Sequence, residues 1–299
     1  MGSTDTPITF LRKQQAWVGL FKLMASECEI HIRTSEASFA QKTITQAYRE
    51  AKRIEQHFSR YITGNALHTI NNSPNTPITL DTEYCELLNY ALTLYDISDG
   101  MFDISCGALR HLWRFNTTEQ QPPTQAQLDA ALSNIGLNKI HWSAPQLTLP
   151  QGMELDFGGI GKEYAVDKAA QVIQGVFDGE YLVNFGGDCY CKGSAESPWT
   201  IAVESINSPA DATNNTVTLL EGGVATSGTT KRFFTSGGKR FGHILNPKTA
   251  RPIEHAPLSV TVVHQSCLSA GALATLAMLE GKAAEQYLQE QELIHWVLR

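Results

Sequence analysis

Residues 153–168, MELDFGGIGKEYAVDK, decide how this chain is read, because an aspartate, three glycines and a lysine stand directly before a segment with helical apolar spacing. Tyr164, Ala165, Ala169, Val172, Ile173 and Val176 recur at the intervals of one helix face. Ahead of them, Asp156 ends a run that reads as a strand, and Gly158, Gly159 and Gly161 make a flexible turn. A strand, turn and helix of this kind lets backbone approach a ligand and aims a helix N-terminus at an anion. It serves equally as a tight connection with no ligand. A P-loop is excluded: that pattern needs a glycine five residues before Gly161, where Asp156 stands, and a hydroxyl after the lysine, where Glu163 stands. No GxGxxG occurs elsewhere, so a dinucleotide-binding βαβ fold is not expected.

Outward from that turn, 299 residues with 42% hydrophobic and 18% charged side chains suffice for a sizeable core. A net charge of -7 and a pI near 5.7, with no basic cluster, argue against a nucleic-acid partner. No apolar run approaches the roughly 20 residues of a transmembrane helix. Residues 1–16 lack the basic start and apolar core of a secretory leader and read as an N-terminal extension, partly tag, before a domain at 17–299. The expected location is cytoplasmic, or periplasmic if a leader has been removed. The six cysteines lie in apolar surroundings without a CxxC pair, so they read as buried small hydrophobes and no zinc site is expected.

Residues 17–33 alternate as two strands meeting at Ser26 and Glu27, and Ile44, Ala47, Ala51, Ile54 and Phe58 mark a long amphipathic helix. A second helix covers roughly 82–98 with Leu87, Leu88, Ala91, Leu94 and Tyr95 inward, and Thr124 caps a short third one. YLVNF, WTIAV, TVTLL, SVTVV and IHWVL read as strands, and a helix is expected from about Ala270 to Glu290. Strands in succession without intervening helices predict an α+β fold with mixed, largely antiparallel sheets, in a two-lobed single domain.

Several glycine-rich polar segments share the style of the first: LVNFGGD at 182–188, ATSGTTKRFF at 225–234, HILNPKTARPI at 243–253 and SAGALATLAML at 269–279. Upstream lie HFSRYITGNALHTINNS at 57–73 and SDGMFDISCGALRHLWRF at 98–115. Taken in order, these blocks resemble the FAD:protein FMN transferase (ApbE) family from about residue 18 to the C-terminus. The resemblance implies cleavage of FAD at its pyrophosphate, release of AMP, and attachment of FMN through a phosphoester to a threonine or serine. The implied acceptor is a flavoprotein or electron-transport subunit, and the implied metal is magnesium. It implies His243 as general base, an imidazole with a pKa near 6.5 being suited to take a hydroxyl proton. Asp156, Gly158, Gly159, Lys162, Thr226, Ser227, His243 and Ile244 are the implied FAD contacts, and the carbonyl of Gly161 and the side chain of Thr275 the implied metal ligands. A pyrophosphatase releasing FMN and AMP, and a non-catalytic FAD-binding protein, would share this site.

Two departures from the family's pattern fall on the metal. Its last block offers an aspartate four residues before the threonine, and here that position is Gly271. The residue after the turn's lysine, a glycine in the family, is Glu163. The expectation is that Glu163 supplies the carboxylate that Gly271 lacks; the competing reading is a solvated glutamate favoured by the helix dipole.

Overall fold

Alternating apolar side chains make residues 9–32 a three-stranded meander in the computed structural model, which describes residues 7–115, 121–203 and 216–299. Its strands are β1 (Thr9–Lys13), β2 (Ala16–Leu23) and β3 (Ser26–Ile32). The β2–β3 bend lies at Met24 and Ala25, both left-handed with φ of 51° and 56°, and not at Ser26 and Glu27. β1 falls inside the segment expected to be an extension. It pairs with β2 from Thr9↔Leu20 to Lys13↔Ala16 because Ile8 and Phe10 have core to cover.

Five further strands complete one eight-stranded sheet: β4 (Tyr181–Phe185), β5 (Asp188–Lys192), β6 (Glu221–Gly228), β7 (Ser259–His264) and β8 (Ile294–Leu298). Every neighbouring pair is antiparallel and the spatial order follows the chain, as the α+β reading requires. The helices are α1 (Ala37–Phe58), α2 (Ala66–Asn71), α3 (Thr82–Ile97), α4 (Gln125–Leu132), α5 (Gly161–Gln174), α6 (Cys267–Leu279) and α7 (Ala284–Glu290). The stripe read for α1 is buried throughout, and Thr124 with Gln127 forms a capping box on α4. α1, α5 and α6 cover one face of the sheet. A hairpin of Trp199–Ala202 and Thr216–Leu219 covers the other, packing Trp199, Ile201 and Val217 on Leu182, Cys189 and Val224. Strand alternation therefore sends Val224 to the hairpin and Ala225 to the helices. A three-stranded sheet beside α3 forms a smaller lobe on the same continuous core.

Two further expectations are corrected. The helix read from Ala270 to Glu290 is two, α6 and α7, separated at Gly281, whose φ of 60° breaks helical geometry. The run before the glycine turn is not a ladder strand: Leu155 donates to Asn71 Oδ1 (2.8 Å) and accepts from Asn71 Nδ2 (3.0 Å), so a side-chain amide replaces the neighbouring strand. On α3 the inward stripe holds: Leu87, Leu88, Ala91 and Leu94 are buried and Tyr95 packs on the same core while its hydroxyl reaches Asn138, with Tyr84 fully buried beside them. All six cysteines are unpaired, four of them buried. Among the described residues no helix is long and apolar enough to cross a membrane.

Candidate active site

The registers Cys28↔Phe185, Val224↔Cys189 and Gly228↔Ser259 bring the β2–β3 and β4–β5 turns, the start of β5 and the end of β6 to one end of the sheet. The first turn of α5 stands over that end. Its Lys162 ammonium pairs with the Asp188 carboxylate of β5, which is 1% exposed. The other oxygen of Asp188 accepts from the Thr226 amide at 3.0 Å, so one buried carboxylate ties α5 to two strands. Burial opposes the charge on Lys162, but Asp188 and Glu163 outweigh it and hold the ammonium pKa above its usual value.

Glu163 is 9% exposed, and its Oε2 has no hydrogen-bond partner among the described residues. Burial, and then the charge of Asp188, push its carboxyl up to about 8. It lies against Gly271 of α6, where a Cβ would come within 2.5 Å of Glu163 Cγ and 3.0 Å of Oε1. The register of the two helices is pinned one turn further along α5. Asp167 accepts from Cys267 N and Leu268 N at 2.9 Å each, giving α6 a carboxylate at its positive end. Ser266 completes that cap by accepting from Ser269 N at 3.1 Å. Ser266→Ala is expected to lower the unfolding free energy by about 1 kcal/mol, read from a urea titration, because Asp167 keeps two of the orphan amides.

One turn beyond Gly271, Thr275 donates to Ser227 Oγ at 3.3 Å. Thr226 does not join them. Its hydroxyl pairs with Thr261 Oγ1 at 2.8 Å on the opposite face of the sheet, since neighbours on a strand point opposite ways. Of the two residues expected side by side at the ligand, only Ser227 faces α6.

The glycine turn is more self-contained than expected. Gly158 N donates to Asp156 Oδ1 (3.0 Å), and Ile160 N and Gly161 N donate to Phe157 O (3.0 and 2.7 Å). Those amides are spent inside the turn, which leaves fewer for a phosphate. Gly161 is the first residue of α5, so the helix starts one residue before Lys162. Gly159 faces the Phe102 ring. The other oxygen of Asp156 pairs with Arg60 Nη1 at 2.5 Å, so this carboxylate both closes the turn and holds a cation beside it.

His243 follows a hairpin of Phe233–Ser236 and Lys239–Gly242. It meets Phe115 edge-on at 6.3 Å, next to the packed rings of Trp113, Phe234 and Phe241. Burial and then the Arg232 charge pull its pKa down to about 4, well below the 6.5 expected, and leave a neutral ring whose Nδ1 has no partner among the described residues. Ile244 turns into the core and its carbonyl accepts from Ile253 N at 3.0 Å. The segment 102–115 links this wall to the glycine turn: Asp156 N donates to Ile104 O (2.8 Å), and Trp113 Nε1 to Ala250 O (2.7 Å).

Lys162, Glu163, Ser227 and Thr275 are thus brought together, with Asp156 and His243 held by neighbouring walls. Asp167 and Arg60 were not singled out from the sequence, and Asp188 was read only as part of a glycine-rich turn with no role of its own. Asp188 carried a usable signal, an acidic residue closing the glycine turn of LVNFGGD. The donors left facing one another are all oxygen, the Glu163 carboxyl with its unpartnered Oε2 and the Ser227 and Thr275 hydroxyls, Asp188 being taken by Lys162 and the Thr226 amide, which fits a hard cation such as magnesium completed by substrate phosphates.

The profile of the ApbE family matches residues 24–297. The chain is 31% identical to the FAD:protein FMN transferase of Escherichia coli K12 over 259 residues, 82% of this chain and 73% of that protein. Its identity to the same-named protein of Salmonella typhimurium is 28%, covering 98% and 86% of the two chains. The fold superposes on the ApbE protein of Thermotoga maritima with a TM-score of 0.85 at 25% identity, over 95% of this chain and 94% of that one. On the apo flavinyl transferase ApbE of Pseudomonas stutzeri the TM-score is 0.83 at 24% identity, over 95% and 91%.

Proposed function

The chain belongs to the ApbE family and is an FAD:protein FMN transferase, and we propose that the reaction runs at the sheet end where Lys162, Glu163, Ser227 and Thr275 meet. The observation that carries this assignment is the buried Lys162–Asp188 ion pair beside the buried Glu163 carboxyl, a grouping of perturbed titratable side chains of the kind that functional sites collect. FAD contributes its pyrophosphate and an acceptor protein its threonine or serine hydroxyl. His243, neutral above about pH 5, takes the hydroxyl proton as the oxygen attacks the FMN-side phosphorus. The P–O bond to the adenosine half breaks, AMP leaves with the bridging oxygen, and the new P–O bond makes the phosphoester. Lys162 and Arg60 supply positive charge where the pyrophosphate gains it, with Arg60 oriented by Asp156. Glu163, Thr275 and the Gly161 carbonyl would hold magnesium, which when bound would supply further neutralisation of that charge.

The test is incubation of the protein with FAD, magnesium and a flavoprotein acceptor, followed by intact mass and nucleotide analysis. The expected result is one FMN added per acceptor with an equimolar amount of AMP. Free FMN and AMP without added mass would make the protein a pyrophosphatase. FAD bound and unchanged would make it a carrier.

A further inference from the structure

We infer that Glu163 and Gly271 are an exchanged pair: the acidic ligand of the cation site is delivered from α5, and the glycine on α6 is the space it occupies. This rests on the transferase site proposed above. A Cβ at position 271 would sit 2.5 Å from Glu163 Cγ and 3.0 Å from its Cδ, closer than packed atoms approach, so the two positions cannot both carry side chains without movement. The helices have no freedom to slide apart, because both oxygens of Asp167 are bonded to the first amides of α6. Glutamate from α5, longer by one methylene than aspartate, reaches across the helix gap to the volume a short acid on α6 would fill. Its Oε2 is buried and unpartnered among the described residues, and Thr275 lies one helical turn from the glycine it covers. A solvated glutamate stabilising the helix dipole would be exposed; Glu163 is nine-tenths buried and turned toward α6.

The experiment measures Mn2+ binding to the purified protein without FAD, by electron paramagnetic resonance and calorimetry, with thermal melts to confirm folding. Glu163→Gln, equal in shape, is expected to weaken binding at least about tenfold, at the low end of what even supporting groups around a metal cost. Gly271→Asp alone is expected to lower both the melting temperature and Mn2+ affinity, because it adds a side chain where Glu163 already lies. The double variant Glu163→Gly with Gly271→Asp is expected to recover binding to within about threefold of wild type and to exceed both Glu163→Gly and Gly271→Asp. Wild type without Mn2+ binding, Glu163→Gln with unchanged affinity, or a double variant no better than Glu163→Gly overturns the exchange. Unchanged Glu163→Gln affinity in a protein that still transfers flavin leaves the transferase assignment intact. Mn2+ binding that follows the exchange pattern in a protein transferring no flavin leaves the exchange intact and removes the assignment.

Discussion

His243→Asn cuts the rate of FMN transfer about a hundred- to ten-thousand-fold while FAD affinity moves by only a few-fold, the signature of losing proton transfer without losing the binding surface. Asparagine keeps polarity and approximate shape beside Phe115, so the loss is chemical. The pH profile separates this role from that of an ordinary exposed histidine. The folded pKa of about 4 lies below the unfolded value near 6.5, so kcat/KM should run flat from pH 7.5 to 5.5 with no limb at 6.5. Bound pyrophosphate opposes the charge of Arg232, so the acid limb of kcat lies at higher pH than that of kcat/KM. Stability follows the same sign. A base whose folded pKa is depressed contributes stability that is present above pH 6.5 and lost as pH falls through 4. Wild type should therefore lose about 3 kcal/mol more than His243→Asn between pH 7 and pH 4 in urea titrations. Transfer by His243→Asn at the wild-type rate, or a kcat/KM limb at 6.5, would contradict the assignment.

Lys162→Met lowers the unfolding free energy by about 3–5 kcal/mol at pH 7, measured from the urea midpoint. The reason is Asp188. At 1% exposure it relies on the Lys162 ammonium and the Thr226 amide in place of solvent. Glu163 adjoins it but, with its carboxyl pushed up to about 8, is largely protonated at pH 7 and brings no positive charge to offset the stranded carboxylate. Methionine preserves the packing of the aliphatic stem, which isolates the electrostatic effect. Combining Lys162→Met with Asp188→Asn should return most of the loss, since removing both charges costs far less than stranding one. A loss below about 1 kcal/mol in the single variant would mean that the carboxylate is solvated after all.

What could be read from the chain alone was local in origin. The stripe Ile44, Ala47, Ala51, Ile54, Phe58 has helical period, the runs YLVNF and SVTVV have strand chemistry, and Thr124 announces a cap; each depends on residues within a few positions. The ordered glycine-rich blocks likewise revealed the family and with it the reaction, because turn geometry and close backbone approach are imposed by residue type. Tertiary structure decided the rest, since burial and pairing depend on elements far apart in sequence. Lys162 meets Asp188 across a helix and a strand, Thr226 and Ser227 part to opposite faces only once β6 has neighbours, and desolvation moves His243 away from its ordinary pKa. Whether Glu163 is a solvated helix-start residue or an acid filling the place of Gly271 was set by how α5 packs on α6, and a one-dimensional string carries no record of that distance.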